Sequence, residues 1–262
     1  MIEIPDNYFS NLSSYEEFVI KTNLLGYDVS DKEVLESLNK VEDYYWFVVN
    51  GHLCFLNNKG NKTEDVIIKR DFDCTHNQLA SLEGCPKEVG GNFRCSGNQL
   101  ISLKGCPKKI SGYFYCYGNQ LTSLEGCPER VGGIFDCSEN KLTSLEGCPK
   151  EISGDFFCSY NQLTSLEGCP EKVGGNFYCT YNQLTSLEGC PKEISGDFYC
   201  SSNKLTSIKG CPKEIGRDFN CSDNQLTSLE GCPEIVCRDF YCSNNSTKLL
   251  KPNNLKCKNF YN

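Results

Sequence analysis

Twenty cysteines and two histidines are the residues of this chain with the widest chemical repertoire. Cysteine can form disulfides, hold zinc or act as a nucleophile, and histidine can serve as a base or a co-ligand. Spacing decides among these roles. Cys74, Cys95, Cys116, Cys137, Cys158, Cys179, Cys200, Cys221 and Cys242 recur every 21 residues without a slip. Cys85, Cys106, Cys127, Cys148, Cys169, Cys190, Cys211 and Cys232 form a second register, each followed by proline. The registers alternate 11 and 10 residues apart, no C-x2-C pair exists, and only His52 and His76 are on hand to complete a zinc site. Cys232 and Cys237 are the closest pair and have no obvious further ligands. A disulfide framework suits a small secreted domain, but residues 1–6 have neither the basic start nor the apolar core of a signal peptide. Free cysteine also behaves as a small buried hydrophobe. Both registers are therefore read as reduced packing residues, with no metal and no cofactor. His76 near Asp73 is a candidate acid–base pair, but no nucleophile accompanies it, so no enzyme is expected.

The elements that place these residues follow from the repeat. One unit reads F-Y-C-S-x-N-Q-L-T-S-L-E-G-C-P-K-E-I-S-G-D, and about nine coils fill residues 71–245. Phe198 and Cys200 alternate with Tyr199 and Ser201, which predicts a short strand with one buried face. Leu205 and Ile208 then point inward, Gly210-Cys211-Pro212 forms a corner, and Ile215 adds one more apolar contact. A second corner is Ser-Gly or Gly-Gly (Gly91, Gly112, Gly133, Gly154, Gly175, Gly196). Twenty-one residues leave no room for a long helix, so the outer side is expected to be extended or a short 3-10 turn. A lone coil cannot bury both flat sides and must stack. Nine strands at about 4.8 Å spacing give a parallel ladder on the order of 40 Å long. Asn77, Asn98, Asn119, Asn140, Asn161, Asn182, Asn203 and Asn224 are expected inside, satisfying turn backbone groups. The fold class is a mainly β repeat solenoid with a non-helical outer side and a small α+β N-terminal cap.

The run C-S-x-N-Q-L-T-S-L resembles the core of leucine-rich repeats. In particular it is similar to the short-coil repeats of bacterial effector proteins. The N-Q-L-T-S-L-E-G-C-P arrays also resemble those of proteins encoded by tailed bacteriophages. The likeness covers residues 71–245 and implies fold more than function. One departure is visible: the first leucine of the family pattern is replaced by Ile or Val one position early.

The ends leave the repeat. Residues 1–70 are read as a cap. Ser13 and Ser14 before Glu16 and Glu17 form a capping box for a helix over 15–25 with Gly26 as its stop. Ser30 with Glu33 offers a second box before Val34, Leu35, Leu38 and Val41. Residues 44–49, Asn50-Gly51 and 52–56 read as a β-hairpin, and 66–68 as a strand leading into the first coil. Residues 246–262 form a short basic tail whose Leu249, Leu250, Leu255 and Phe260 are expected to fold over the last coil. A net charge of −8 argues against nucleic acid. No apolar run reaches membrane-spanning length. The chain is expected in the cytoplasm, the host cytoplasm if phage-encoded. The sequons at Asn11-Leu12-Ser13 and Asn61-Lys62-Thr63 then carry no meaning.

Information lies where coils differ. The position between Phe and Cys runs Asp73, Arg94, Tyr115, Asp136, Phe157, Tyr178, Tyr199, Asn220, Tyr241. Two residues after Cys it runs His76, Gly97, Gly118, Glu139, Tyr160, Tyr181, Ser202, Asp223, Asn244. Tyr113 and Tyr117 add to the third coil. Phe157, Tyr160, Tyr178, Tyr181 and Tyr199 are expected to form one contiguous aromatic patch, edged by Asp155, Asp197, Asp218 and Asp239. Aromatic rings favour strands on their own account, but an exposed patch of tyrosines also suits recognition. The expected site is therefore Tyr113, Tyr115, Tyr117, Phe157, Tyr160, Tyr178, Tyr181, Tyr199 and Tyr241 with Arg94, Asp136 and Glu139. Its expected partner is a protein, a host bacterial factor if the phage resemblance holds. The alternative is a carbohydrate- or receptor-binding adhesin using the same face.

Overall fold

The computed structural model describes residues 12, 14–24, 28–49, 51–57 and 59–262. Residues 1–6, Asn11, Ser13, Leu25, Gly26 and Asn50, together with the Glu33 side chain, lie outside the described residues.

The repeat folds into two parallel ladders. One has ten strands, running from Phe72–Asp73 through Phe156–Phe157 to Asp239–Tyr241 and Asn259–Tyr261. Its register is set coil to coil, phenylalanine beside phenylalanine and the outward residue beside its counterpart. The other has nine strands, from Ile67–Ile68 to Ile235–Val236. The sequence pattern gave Ile215 only a single apolar contact, but Glu214–Ile215 is a strand of this second ladder. Two-residue strands carry one inward side chain each, too few to show a period. The Ser-Gly and Gly-Gly corners join the two ladders. Glycine fits there where the preceding coil's side chain crowds the spot: a Cβ at Gly175 would collide with the Asp155 carboxylate, while Arg217 and Arg238 take the same position in the last coils. Turns and extended chain make up the rest of each coil. At the Cys-Pro corner, the Cys106 N–H donates to Leu103 O at 2.9 Å.

The interior is built of columns. Phe93, Phe114, Phe135, Phe156, Phe177 and Phe198 are fully buried and stack with ring centroids 5.2–5.5 Å apart. The first cysteine column is likewise fully buried. Most of these thiols also have a use that leucine could not supply. Cys158 Sγ donates to Tyr178 O at 3.5 Å and Cys200 Sγ to Asn220 O at 3.4 Å, beside the backbone N–H bonds to the same carbonyls. The second column packs against the core but is partly exposed at Cys85, Cys127, Cys148, Cys169, Cys190, Cys211 and Cys232, so it points inward less fully than expected.

The asparagine column is a continuous ladder. Asn161 Oδ1 accepts the Leu142 N–H at 2.9 Å, and its Nδ2 donates to the carbonyls of Cys137, Cys158 and Ser159. One amide thus satisfies buried backbone groups of two coils. The ladder runs one coil further than expected, to Asn245, which accepts from Leu226 N at 3.0 Å.

The cap closes the first coil with a hairpin. After α1 (Tyr15–Leu24) and α2 (Lys32–Glu36) come β1 (Asn39–Val41), β2 (Tyr44–Val49), β3 (His52–Asn57) and β4 (Lys62–Thr63) in one antiparallel sheet. Phe47, Cys54 and Leu56 face the helices, while Trp46 and Phe55 each lie 5.5 Å from Phe72. Ser14 caps α1, accepting the Glu17 N–H at 3.1 Å. The second box does not form: Ser30 bonds Asp28, and Asp31 takes the cap position without a side-chain bond to the helix, its Oδ2 accepting the Asp28 N–H at 2.7 Å. That helix ends at Glu36, Leu38 lies beyond it, and Val41 falls in β1. At the other end Phe260 lies 5.4 Å from Phe240 and Leu249 and Leu255 are buried, but Leu250 is 80% exposed rather than folded over the coil.

Candidate functional site: the aromatic strand face

The outward residues of the ten-stranded ladder form a single row because the strands are in register at one-coil spacing. Rings in adjacent coils are then brought within stacking distance. Phe157 and Tyr178 stack at 4.6 Å with planes 2° apart, and Tyr178 and Tyr199 at 5.1 Å and 8°. Tyr241 continues the row onto Tyr261 at 4.8 Å and 10°. Tyr261 was not among the expected site residues because it lies beyond the repeat, although Asn259-Phe260-Tyr261 copies Asp239-Phe240-Tyr241 closely enough to have signalled it.

The row has two interruptions and an occupied start. Arg94 holds Asp71 at 3.1 Å and lies 5.7 Å from the Tyr115 ring centroid, so its charge is already engaged within the chain. Tyr115 also meets Tyr113 edge-on at 6.1 Å. Asp136 occupies the row between Tyr115 and Phe157. Desolvation raises its carboxyl above the ordinary range, against the lowering effect of the Ser138 N–H donated to Oδ1. Asn220 breaks the row between Tyr199 and Tyr241, its Oδ1 accepting the Ser222 N–H at 3.0 Å.

Tyr160 and Tyr181 are not on the strand. Their backbones are left-handed, φ 55° and 53°, on the turn after the cysteine. They make a separate stack at 4.5 Å and 8°, each about half exposed. The expected single patch is thus two parallel stacks, with no ring contact between them among the described residues. Glu139 shares this turn position, at φ 54°, and Tyr117 is an exposed ring beside the Gly118 turn. Left-handed φ disfavours any side chain by about 1 kcal/mol, and Gly97 and Gly118 show that glycine serves here. Two adjacent tyrosines at such a site are not required by the fold.

An acidic and amide column edges the face. Asn176 N donates to Asp155 Oδ1 at 2.7 Å, Asp197 N to Asn176 Oδ1, Asp218 N to Asp197 Oδ1 and Asp239 N to Asp218 Oδ1. Each carboxylate therefore holds the next coil in register with one oxygen. Desolvation and then Asp197 and Asp218 push the Tyr199 phenol up to about 12. Tyr178 is raised in the same way, by desolvation and then Asp197 and Asp155. Both phenols stay protonated donors. The proposed acid–base pair does not assemble: Asp73 accepts the Thr75 N–H at 3.0 Å, and no hydrogen bond joins it to His76, whose ring covers Gly97.

Among solved structures the chain is similar to YopM from Yersinia enterocolitica WA-314. The match has a TM-score of 0.55 and 21% identity, and covers 71% of this chain and 45% of that one. The fold is a leucine-rich-repeat solenoid. The chain spans less than half the length of that structure, and at this identity the likeness speaks for the fold. No sequence-family profile matches the chain, and no curated protein matches it in sequence. Among the described residues no helix is long and apolar enough to cross a membrane.

Proposed function

We propose that the chain is a non-catalytic protein-binding scaffold that recognises its partner through the stacked face of Phe157, Tyr178 and Tyr199, with Tyr160 and Tyr181 alongside. The observation that carries this reading is redundancy. The core already owns a full phenylalanine column, so the outer rings add little to folding and present half-buried apolar surface with phenol donors. Rigid, preordered aromatic side chains lose little entropy on binding. A host bacterial factor is the target class to test. The adhesin alternative is less well supported, because sugar rings need free aromatic faces and the stacking covers most of them.

The test is a paired capture from bacterial lysate. The baits are the native chain and a folded variant carrying Phe157→Ser, Tyr178→Ser and Tyr199→Ser. A protein held by the native bait and lost from the variant supports the reading. Equal capture by both baits moves the site elsewhere, and a glycan bound in place of any protein supports the adhesin.

A further inference from the structure

Along the nine-stranded ladder, acids pair with cations one coil away: Arg130 with Glu151 at 3.2 Å, Lys172 with Glu193 at 2.8 Å and Lys192 with Glu171 at 3.0 Å. The column edging the aromatic face behaves differently. Its first member, Asp71, holds Arg94, and that guanidinium lies over Tyr115. Aspartate in one coil, cation on the face of the next and tyrosine on the face of the third thus make one arrangement. The same arrangement recurs at Asp197, Asn220 and Tyr241, but with asparagine where Arg94 stands. Among the described residues Asp197, Asp218 and Asp239 have no ion-pair partner. Arg217 and Arg238, exposed at the same corner, pair with none of them.

The gap also has dimensions. Neighbouring rings of the row sit 4.6–5.1 Å apart. Tyr199 and Tyr241 are two strand spacings apart, about 10 Å. A planar group set over Asn220 would lie at stacking distance from both rings. Asp239 already accepts from Asn259 Nδ2 at 2.8 Å and from the Tyr241 hydroxyl at 3.4 Å, but three carboxylates against the corner's two arginines still favour a cation, and a planar cation with several donors is a guanidinium rather than an ammonium.

We propose that the gap over Asn220, between Tyr199 and Tyr241 and edged by Asp197, Asp218 and Asp239, receives an arginine side chain of the partner protein. This rests on the protein-binding reading of the same face and adds the chemistry of what is bound. The partner segment would be basic, complementing a chain of net charge −8.

The test uses the full chain and three fluorescein-labelled decapeptides, (Gly-Arg)5, (Gly-Lys)5 and (Gly-Glu)5, followed by anisotropy at low salt. The arginine peptide is expected to bind about fivefold or more tighter than the lysine peptide, and the glutamate peptide not to bind. Asn220→Arg, which gives the chain its own guanidinium as at Arg94, is expected to weaken the arginine peptide about tenfold. Asn220→Tyr, which closes the gap with a ring, should do the same and guards against one variant misfolding. Equal binding of the arginine and lysine peptides, or unchanged binding in both folded Asn220 variants, overturns the proposal. If these fail while the paired baits still differ, the gap is wrong and the face stands. If the baits also capture equally, the protein-binding reading falls too.

Discussion

Phe177 and Tyr178 are consecutive residues of one two-residue strand and point to opposite sides of the same sheet. Phe177 is fully buried between Phe156 and Phe198 at 5.2 and 5.3 Å. Tyr178 makes an equally regular stack in partial contact with solvent. One strand therefore carries two aromatic columns, one that builds the solenoid and one available to a partner.

The two columns should separate cleanly on mutation. Phe177→Ala removes a fully enclosed ring and is expected to cost about 3–5 kcal/mol. Tyr178→Ser removes a half-exposed stacking partner and is expected to cost about 1 kcal/mol. Urea unfolding of the two variants against the native chain measures the difference.

The asparagine ladder should be as costly to break as the core. Asn161→Ala leaves the Leu142 N–H and the carbonyls of Cys137, Cys158 and Ser159 without this partner. The expected loss is about 3 kcal/mol, since an orphaned buried group costs about 1–3 kcal/mol. An Asn161→Asp variant should also be destabilised at neutral pH, because it keeps the acceptor but loses the donor to three carbonyls. Thermal melts of both variants test this.

Alkaline stability follows from the thiols. Burial raises Cys116, Cys158 and Cys200 well above the ordinary thiol value of 9.0. In the unfolded chain these groups ionise near that ordinary value, whereas the folded chain keeps their protons. Their contribution is therefore fully present below about pH 9 and lost as pH rises above it. Tyr199, pushed up to about 12, adds the same sign between pH 10 and 12. Urea midpoints should fall steeply from pH 8.5 to 10.5 under reducing conditions, and a flat profile would contradict the buried thiol columns.

Asp136 carries the same sign in a lower pH window. Its carboxyl is raised by desolvation, so the charged form is disfavoured in the folded chain. Its contribution to stability improves as pH falls through the carboxylate range and is unfavourable above it. Asp136→Asn keeps an acceptor for the Ser138 N–H and should raise the melting temperature at pH 7, with the gain vanishing near pH 4. A loss at pH 7 would show that the charge is used in the fold.

Much of this fold was legible in the sequence because the repeat forces it. Phe, Cys, Leu and Asn recur without insertion, and identical coils can only stack in register. What lay hidden had weaker local signals. The second ladder contributes one inward Ile or Val per coil, which has no period of its own. Tyr160 and Tyr181 read as strand residues because nothing in a tyrosine announces a left-handed backbone, and only Gly118 and Gly97, two and three coils before Tyr160, hint at it. The break at Asn220 appeared as mere variation until register set it between two rings. The cap lies outside the repeat, and there local propensity misplaced the end of the second helix.

The central claim is that the outer aromatic column meets the partner. Hydroxyl-radical footprinting of the chain with its captured partner tests it most directly, read at tyrosine side chains by mass spectrometry. The account predicts strong protection at Tyr160, Tyr178, Tyr181 and Tyr199, with exposed Leu24 and Leu250 unchanged. Protection confined to the cap or to the Ile/Val ladder, with those tyrosines as reactive as in the free chain, would contradict it.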